Sequence, residues 1–421
     1  MRKVLIIILL LASINSFAQW QISPRKLTNK FVLSSSQANY DSTLRINIKR
    51  EFTPPLTITN LKTYNSLFYQ AALYYIKMPE IQSALKNILI NWQLMPESLV
   101  IRAIITAHVL YPNNFSAEID ELFHKTTNYK LAIYSLFYLR DKNHTDKQLL
   151  SRLTNKFHNR KNILLQLTTD YLQQSNVPQI DSSLYKTIFS KSFLKKNLVI
   201  YTFLRHNRKI PGLTVVRKPN GEFVLNKDSS LFAIPQLGYS VTNLPYFLLD
   251  GNSPQGLYSF QGFYNSHKLT IGPTPALILR LPFETTPVKF SHGKLLSEEW
   301  NLEAYFSLLP KMVRKINPYA QTYFAGKLGR NKLVLHGSTD NPKYYSSESY
   351  FPLTPTTGCL SSVEIWDNTT GKIQRSDQLE LVNAILRTGT RKGYLFLLEL
   401  NDSQTPVSKD EIKELIKNFS N

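Results

Sequence analysis

Apolar side chains recur at helical spacing from about residue 60 to residue 198. In the segment 61–77 the positions that follow this period are Tyr64, Leu67, Phe68, Ala71 and Tyr75. Another helix is bounded by Pro96 and Tyr111-Pro112, because proline fits a first helical turn and not a helix interior. Further amphipathic stretches cover about 117–124, 130–139, 147–157 and 162–172. The pattern predicts an all-α region over 60–198, either a bundle or a repeat-like solenoid of helix pairs.

The pattern changes near residue 199, where short apolar runs alternate with turn residues. Two β-rich runs, 213–216 and 223–225, flank Asn220-Gly221, and this dipeptide is a strong hairpin signal. Further β-like runs cover 269–271, 276–281, 333–335 and 394–400, with helical segments at 302–312 and 378–387. A capping box at Ser408–Glu411 predicts a last helix. We therefore predict a mostly β, α+β domain over 199–421. Residues 19–59 lack a clear period and are expected to form an extended arm.

The first 18 residues have the pattern of a secretory signal peptide. Arg2 and Lys3 precede an apolar run from Val4 to Ala12, and small residues lie before Gln19. A membrane anchor is the alternative, but this run is shorter than the roughly 20 apolar residues that span a bilayer. We expect cleavage after Ala18, an exported and periplasmic protein, and no integral membrane segment after the signal is removed.

The composition adds a strong positive charge. The chain has 50 Lys and Arg against 29 Asp and Glu, which is a formal net charge of +21. Loss of residues 1–18, which hold two basic residues and no acidic one, leaves about +19. A basic exported protein attracts carboxylate-bearing wall peptides or anionic envelope polymers, and nucleic acid is not expected outside the cytoplasm. A generally basic proteome is the alternative explanation that charge leaves open.

The only cysteine of the chain is Cys359, so an internal disulfide and a multi-cysteine metal site are excluded. The thiol is either a buried apolar group or a nucleophile. His336 lies 23 residues upstream after a β-like run, and an imidazole is the usual base for a cysteine nucleophile. Gly337 lets the chain leave the strand, and Gly358 allows a close backbone approach with amides free for an oxyanion. These residues favour a nucleophilic thiol with a histidine base over a buried apolar thiol, and they imply no metal or organic cofactor.

Three motifs follow one another in the β half of the chain. They are Ser-Pro-Gln-Gly-Leu-Tyr at 253–258, Leu-His-Gly-Ser at 335–338 and Thr-Thr-Gly-Cys-Leu-Ser at 356–361. Their order resembles that in the L,D-transpeptidases with a YkuD-like catalytic domain, over roughly residues 197–407. The resemblance implies a β-sandwich-like catalytic domain with Cys359 as the nucleophile and His336 as the base. It also implies that the backbone carbonyl of Gly337 orients the histidine.

The resemblance further implies a substrate and a reaction. The Cys359 thiolate would attack the carbonyl between an L-centre and a terminal D-residue of a peptidoglycan stem peptide. Release of the D-amino acid would leave a thioester, with backbone amides around Gly358–Leu360 holding the oxyanion. An amine acceptor would then give a cross-link, and water would give a trimmed stem. Cross-linking, trimming and attachment of a protein amine all stay open.

The chain departs from the family pattern at two positions beside the cysteine. Thr357 stands where most members have histidine, and Ser361 stands where they have Arg or Asn. We therefore assign the base to His336 alone and include Ser361 among the substrate contacts. The loop between base and nucleophile supplies three further predicted groove residues, Tyr344, Tyr345 and Tyr350. Three basic residues either pair with stem carboxylates or are solvated: Lys327, Arg330 and Lys343.

Two other functions stay open. A non-catalytic wall-binding or scaffold protein is supported by Thr357 and Ser361, and its helical region would be a docking surface for a protein partner. A sortase-like transpeptidase would place His292 and Arg375 beside Cys359, but it leaves the 253–258 motif unexplained. Reaction of Cys359 with an acyl donor discriminates between a catalytic and a binding role.

Overall fold

The computed structural model describes residues 23, 27–57, 60–140, 145–158, 160–173, 182–312, 314 and 317–419. The predicted signal peptide, 1–18, lies outside these residues. The described first half contains eight helices: α1 (Ser34–Phe52), α2 (Leu61–Leu73), α3 (Pro79–Ile90), α4 (Glu97–Leu110), α5 (Ser116–Lys125), α6 (Tyr129–Leu139), α7 (Asp146–Phe157) and α8 (Ile163–Gln173). Their apolar faces share one core, which confirms the predicted all-α region.

The predicted helices are confirmed where their apolar period or end signals are clear. Helix α2 begins at Leu61 as expected, and α4 begins directly after Pro96. Helix α7 has a full capping box, in which Thr145 and Gln148 exchange side-chain and backbone hydrogen bonds of 3.3 and 2.8 Å. Helix α3 was missed, although Pro79 occupies its first turn, where proline is favoured.

The prediction of an extended arm over 19–59 is wrong for residues 34–52, which form α1. Only three side chains of this helix are buried, Leu44, Ile48 and Phe52. They are spaced four apart on one face, and most of the other residues of the helix are polar. The apolar period is therefore too sparse to find in the sequence, because packing against α2 and α3 stabilises the helix.

Ten strands and six more helices follow. The strands are β1 (Leu198–Leu204), β2 (Gly212–Arg217), β3 (Ala233–Gln236), β4 (Gly256–Tyr264), β5 (Ala276–Arg280), β6 (Val334–His336), β7 (Leu360–Ser361), β8 (Glu364–Trp366), β9 (Ile373–Ser376) and β10 (Gly393–Glu399). The helices are α9 (Ser182–Phe189), α10 (Pro287–Phe290), α11 (Leu302–Ser307), α12 (Gln321–Lys327), α13 (Asp377–Leu386) and α14 (Lys409–Phe419). This confirms a helical region joined to an α+β domain.

The strands form a mixed eight-stranded sheet in the order β3-β2-β1-β10-β4-β5-β6-β7, and β8 pairs with β9 separately. The predicted hairpin after β2 is confirmed, since Arg217 bridges to Phe223 across Asn220-Gly221. The strand predicted at 269–271 is wrong. These residues form a turn, in which the Ile271 amide donates to the Lys268 carbonyl at 3.3 Å, and Gly272 follows with a φ of +79°.

Both faces of the sheet are buried. On one face Tyr394, Phe396 and Leu398 of β10 pack with residues of α9, α11 and α14. On the other face Leu395 and Leu397 lie in a second core that also contains α13. Burial on both faces explains why β1 and β10, which pair in parallel, are almost continuously apolar.

The sheet curves until its two ends meet. Leu237, directly after β3, exchanges two backbone hydrogen bonds of 2.9 Å with Ser361 of β7. All eight strands contribute to the core that contains α13, through Leu198, Val216, Ile234, Tyr258, Leu277, Leu335, Leu360 and Leu395. The expected sandwich-like layering is thus a single strongly curved sheet rather than two stacked sheets.

The two predicted regions interpenetrate at their boundary. Helix α9 lies before the predicted boundary at 199, yet it packs on the sheet. Conversely Val241, Leu244, Phe247 and Leu248 of the β half belong to the core of the helical region. No helix in the described residues combines the length and apolarity needed to cross a membrane.

Candidate active site

The pairing of β6 with β7 places the strand of the predicted base next to the segment that carries the predicted nucleophile. The two strands run parallel, with Leu335 opposite Leu360 and His336 opposite Ser361. Leu335 and Leu360 face the core, so His336 points to the other side of the sheet. Cys359 directly precedes β7, and the backbone amide of Val334 hydrogen-bonds its thiol. Residues 23 positions apart in the sequence therefore lie on neighbouring strands.

His336 is held by the neighbouring carbonyl. Its Nδ1 lies 2.6 Å from the carbonyl oxygen of Gly337, the contact that the resemblance implied. A carbonyl only accepts, so Nδ1 carries the proton, and Nε2 of the neutral ring keeps its lone pair. Burial, to 7% exposure, lowers the pKa of His336 to about 4. The ring is therefore neutral at neutral pH, and the same burial makes it a weaker base than an exposed histidine.

Cys359 is closely surrounded by protein but keeps part of its surface exposed. Burial raises the pKa of its thiol, while the Val334 amide and the charges of Lys268 and Arg330 lower it. Among the described residues, no hydrogen bond joins the thiol to the His336 imidazole. At rest the cysteine is therefore protonated, and ionisation requires a base.

Gly358 is required by two features of the loop before Cys359. Its φ is +119°, a region that side chains other than glycine strongly disfavour. An added Cβ would also overlap the guanidinium of Arg330. The Gly358 amide donates to Thr356 Oγ1 at 3.0 Å, so this amide is not free for an oxyanion, contrary to the prediction.

The upstream motif contacts the nucleophile loop. The Ser253 hydroxyl donates to the Gly358 carbonyl at 2.9 Å. The Tyr258 hydroxyl donates to the Pro254 carbonyl at 2.6 Å and so closes the turn of the motif. The three motifs that are separated in the sequence are therefore contiguous in space.

Three of the four predicted substrate contacts are wrong. Tyr345 and Tyr350 are fully buried in a small aromatic core, and Ser361 is buried with its hydroxyl bonded to the Thr354 carbonyl at 2.6 Å. Tyr344 keeps some exposure, but its hydroxyl donates to Asp41 at 2.8 Å. These tyrosines were assigned to a groove because their loop is polar, whereas they pack against the end of α2.

Two buried carboxyl groups near His336 were missed. Glu364 accepts hydrogen bonds from Thr274 at 2.6 Å and Ser376 at 2.8 Å, and its carboxyl group fills the space of a Cβ on Gly337. Burial raises its pKa to about 8. Asp340 accepts from the Tyr74 hydroxyl at 2.9 Å, and burial raises its pKa to about 7. No sequence signal marked either one, because both depend on tertiary contacts.

The helical region reaches the same loops. The Tyr69 hydroxyl of α2 lies 3.3 Å from the Thr357 hydroxyl, two residues before the cysteine. Arg102 of α4 forms an ion pair of 2.6 Å with Asp250, and both side chains are about nine-tenths buried. These contacts connect the helical region to both segments that surround Gly358, which the sequence did not indicate.

The residues required by a sortase-like arrangement are bonded elsewhere. His292 Nε2 lies 2.7 Å from the Gly393 carbonyl, and Arg375 pairs with Asp377 at 2.9 Å. In the described part of the chain, no three metal-binding side chains of the His, Cys, Asp and Glu types come together. Compared with known proteins, the chain matches no family model, no curated protein and no solved structure significantly.

Proposed function

We propose that the protein is an exported cysteine acyltransferase of the L,D-transpeptidase type that acts on peptidoglycan stem peptides. Cys359 is the nucleophile, His336 is the base and the Gly337 carbonyl orients the base. The assignment to this family, the export to the periplasm and the substrate are all parts of the proposal. The positive charge of the chain, +21 in full and about +19 without residues 1–18, suits a substrate with free carboxylates.

One observation carries the proposal. His336 donates from Nδ1 to the Gly337 carbonyl at 2.6 Å, while its strand pairs with the strand that follows Cys359. This hydrogen bond selects the tautomer that has a free lone pair on Nε2. A histidine used only for packing has no need of a fixed tautomer beside a thiol. The same bond orients the ring as a base next to a nucleophile.

The chemistry proceeds in two balanced steps. His336 Nε2 takes the thiol proton, and the sulfur of Cys359 bonds to the stem carbonyl carbon. The carbon–nitrogen bond then breaks, and the departing D-amino acid takes the proton back from the imidazolium. An acceptor amine next gives a proton to His336 and attacks the thioester, the carbon–sulfur bond breaks, and the imidazolium returns the proton to the Cys359 sulfur. Water in place of the amine gives the trimmed peptide.

Mass spectrometry of the intact protein tests this proposal. The protein without residues 1–18 is incubated with purified tetrapeptide muropeptides, beside Cys359→Ala. A thioester adduct on the unsubstituted protein alone, with a cross-linked or trimmed product, supports the proposal. Folded protein that gives neither adduct nor product from these stems contradicts it.

A non-catalytic wall-binding role is the second candidate, and one observation favours it. Burial raises the pKa of Cys359, and no hydrogen bond joins its thiol to His336 in the described residues. Retention of the protein on purified sacculi, without any thioester and equally in Cys359→Ala, would favour binding.

A further inference from the structure

Arg330 is buried directly behind the nucleophile loop. It follows α12, and its side chain was expected either to bind stem carboxylates or to be solvated. Instead its Nη1 donates to the backbone carbonyls of Tyr246 and of Asn252, the latter at 2.8 Å. Its Nη2 donates to the Gly251 carbonyl at 2.8 Å. All three acceptors are neutral backbone oxygens, so the hydrogen bonds fix the guanidinium but do not neutralise it.

The positive charge of Arg330 is without a direct anionic partner in the described residues. Its nearest acidic neighbour, Asp250, is paired with Arg102 at 2.6 Å. A buried cation is costly unless a negative charge lies close to it. The fold therefore maintains a positive charge at this place that only another anion would balance.

The guanidinium lies against the backbone that precedes Cys359. It occupies the space that a Cβ on Gly358 would fill, so the arginine and the glycine fit only together. Nη2 donates one hydrogen bond, which leaves a second N–H on the atom nearest to Gly358. The negative charge that forms at this loop during acyl transfer arises on the Cys359 sulfur or on the oxyanion attached to it.

We propose that Arg330 is the positioning residue of the nucleophile: it holds Gly358 in its left-handed conformation and supplies the positive charge that balances the Cys359 thiolate. This inference rests on the proposed role of Cys359. The proposed site thus includes a fixed cation, Arg330. Its guanidinium contacts the backbone at Gly358 and does not bind the substrate. His336 then has to remove a proton from a thiol whose anion already has a partner.

Other charged or titratable groups also face Cys359. They are Lys268 in the turn after β4, Tyr258 and Tyr264 on β4, and Tyr69 on α2, while His336 lies on the neighbouring strand β6. Lys268 is exposed and therefore screened by solvent, whereas Arg330 is buried. Both cations lower the pKa of the Cys359 thiol, Lys268 by the larger share and Arg330 from a buried position that its backbone hydrogen bonds fix.

The pH dependence of thiol alkylation tests the proposal without any wall substrate. Cys359 is the only cysteine, so iodoacetamide labelling followed by intact mass reports this thiol alone. We expect the labelling midpoint to rise by about one pH unit or more in Arg330→Gln, because a close opposite charge is lost. Arg330→Lys keeps the charge and should leave the midpoint near that of the unsubstituted protein.

Arg217→Gln is the matched control. Arg217 is also buried and donates to backbone carbonyls, those of Ser190 and Phe193, away from the nucleophile loop. Equal midpoints in Arg330→Gln and the unsubstituted protein, or an equal shift in Arg217→Gln, would overturn the proposal. If Arg330→Gln does not fold, Arg330→Lys is the variant that tests the proposal. Lysine cannot make the several directed hydrogen bonds of the guanidinium, so labelling should be at least about tenfold slower with an unchanged pH midpoint. An unchanged labelling rate would overturn the proposal.

The two proposals fail separately in these experiments. A shifted alkylation midpoint with no thioester from stem peptides leaves the role of Arg330 standing and removes the transpeptidase assignment. A thioester on the unsubstituted protein, with no shift of the labelling midpoint in Arg330→Gln, supports the transpeptidase assignment and removes the role of Arg330.

Discussion

The Tyr69 hydroxyl lies 3.3 Å from the Thr357 hydroxyl, which joins the second helix of the chain to the loop that carries the cysteine. Arg102 makes a second connection, because its partner Asp250 directly precedes Gly251, whose carbonyl binds Arg330. The helical region is therefore in contact with the candidate site and is not only a remote docking module. Changes in the helices are expected to affect the reactivity of Cys359.

Substitution of Gly358 by alanine should be strongly destabilising. Alanine at a φ of +119° is strained, and its Cβ would overlap Arg330. Together these effects should cost about 3 kcal/mol of unfolding free energy and remove most thiol acylation. Urea denaturation followed by circular dichroism measures the first effect.

Gly389 is the matched control for this substitution. It also has a positive φ, +77°, but no heavy atom lies within 4 Å of an added Cβ. Gly389→Ala should cost only about 1 kcal/mol and leave acylation unchanged. Equal destabilisation by the two substitutions would show that contact with Arg330 does not matter.

The buried pair between Arg102 and Asp250 should stabilise the junction of the two regions. Arg102→Met leaves the Asp250 carboxylate buried without its partner and should cost about 3 kcal/mol or more. The double variant Arg102→Met/Asp250→Asn should recover part of this loss, because no charge is then left unpaired. Both unfolding free energies are obtained from urea titrations.

An exposed ion pair provides the comparison. Lys125 and Glu121 lie 2.7 Å apart with both side chains about three-fifths exposed, so Lys125→Met should change stability by less than about 0.5 kcal/mol. A similar small effect of Arg102→Met would mean that the junction does not depend on its buried pair.

Glu364 should make stability fall as the pH rises. Its pKa in the folded protein is about 8, against an ordinary value of 4.5, so the folded state keeps a proton that the unfolded state releases. The stabilisation is complete below pH about 4.5 and is lost as the pH rises towards 8. Glu364→Gln has no such proton. Between pH 5 and pH 9 its unfolding free energy should fall less than that of the unsubstituted protein, by a difference on the order of a few kcal/mol.

Thermal unfolding of both proteins across this pH range measures the difference. Glu380→Gln, at an exposed position of α13, controls for the chemical change from acid to amide. Its stability curve should run parallel to that of the unsubstituted protein. If the stability of Glu364→Gln also changed with pH in parallel with that of the unsubstituted protein, Glu364 would not be protonated in the folded state.

The sequence predicts those parts of the molecule that depend on local pattern. The helical period located α2 and α4, and the three motifs proved to be contiguous in space, with β6 beside β7 and Ser253 bonded to Gly358. Glu364 and Tyr69 were not found, and Arg330 was expected to bind substrate or to be solvated, because the environments of all three are created by segments far away in the chain. Tyr345 and Tyr350 were predicted to line a groove because their loop is polar, but they are buried because the end of α2 covers this loop.

The central claim is that Cys359 forms a thioester with His336 as its base. Intact-mass spectrometry after incubation with tetrapeptide muropeptides tests it most directly, with Cys359→Ala and His336→Gln in parallel. The account predicts an adduct on the unsubstituted protein, none on Cys359→Ala, and adduct formation slowed by roughly a hundredfold or more in His336→Gln. Turnover that persists in Cys359→Ala, or a folded protein that never forms the adduct, would contradict it.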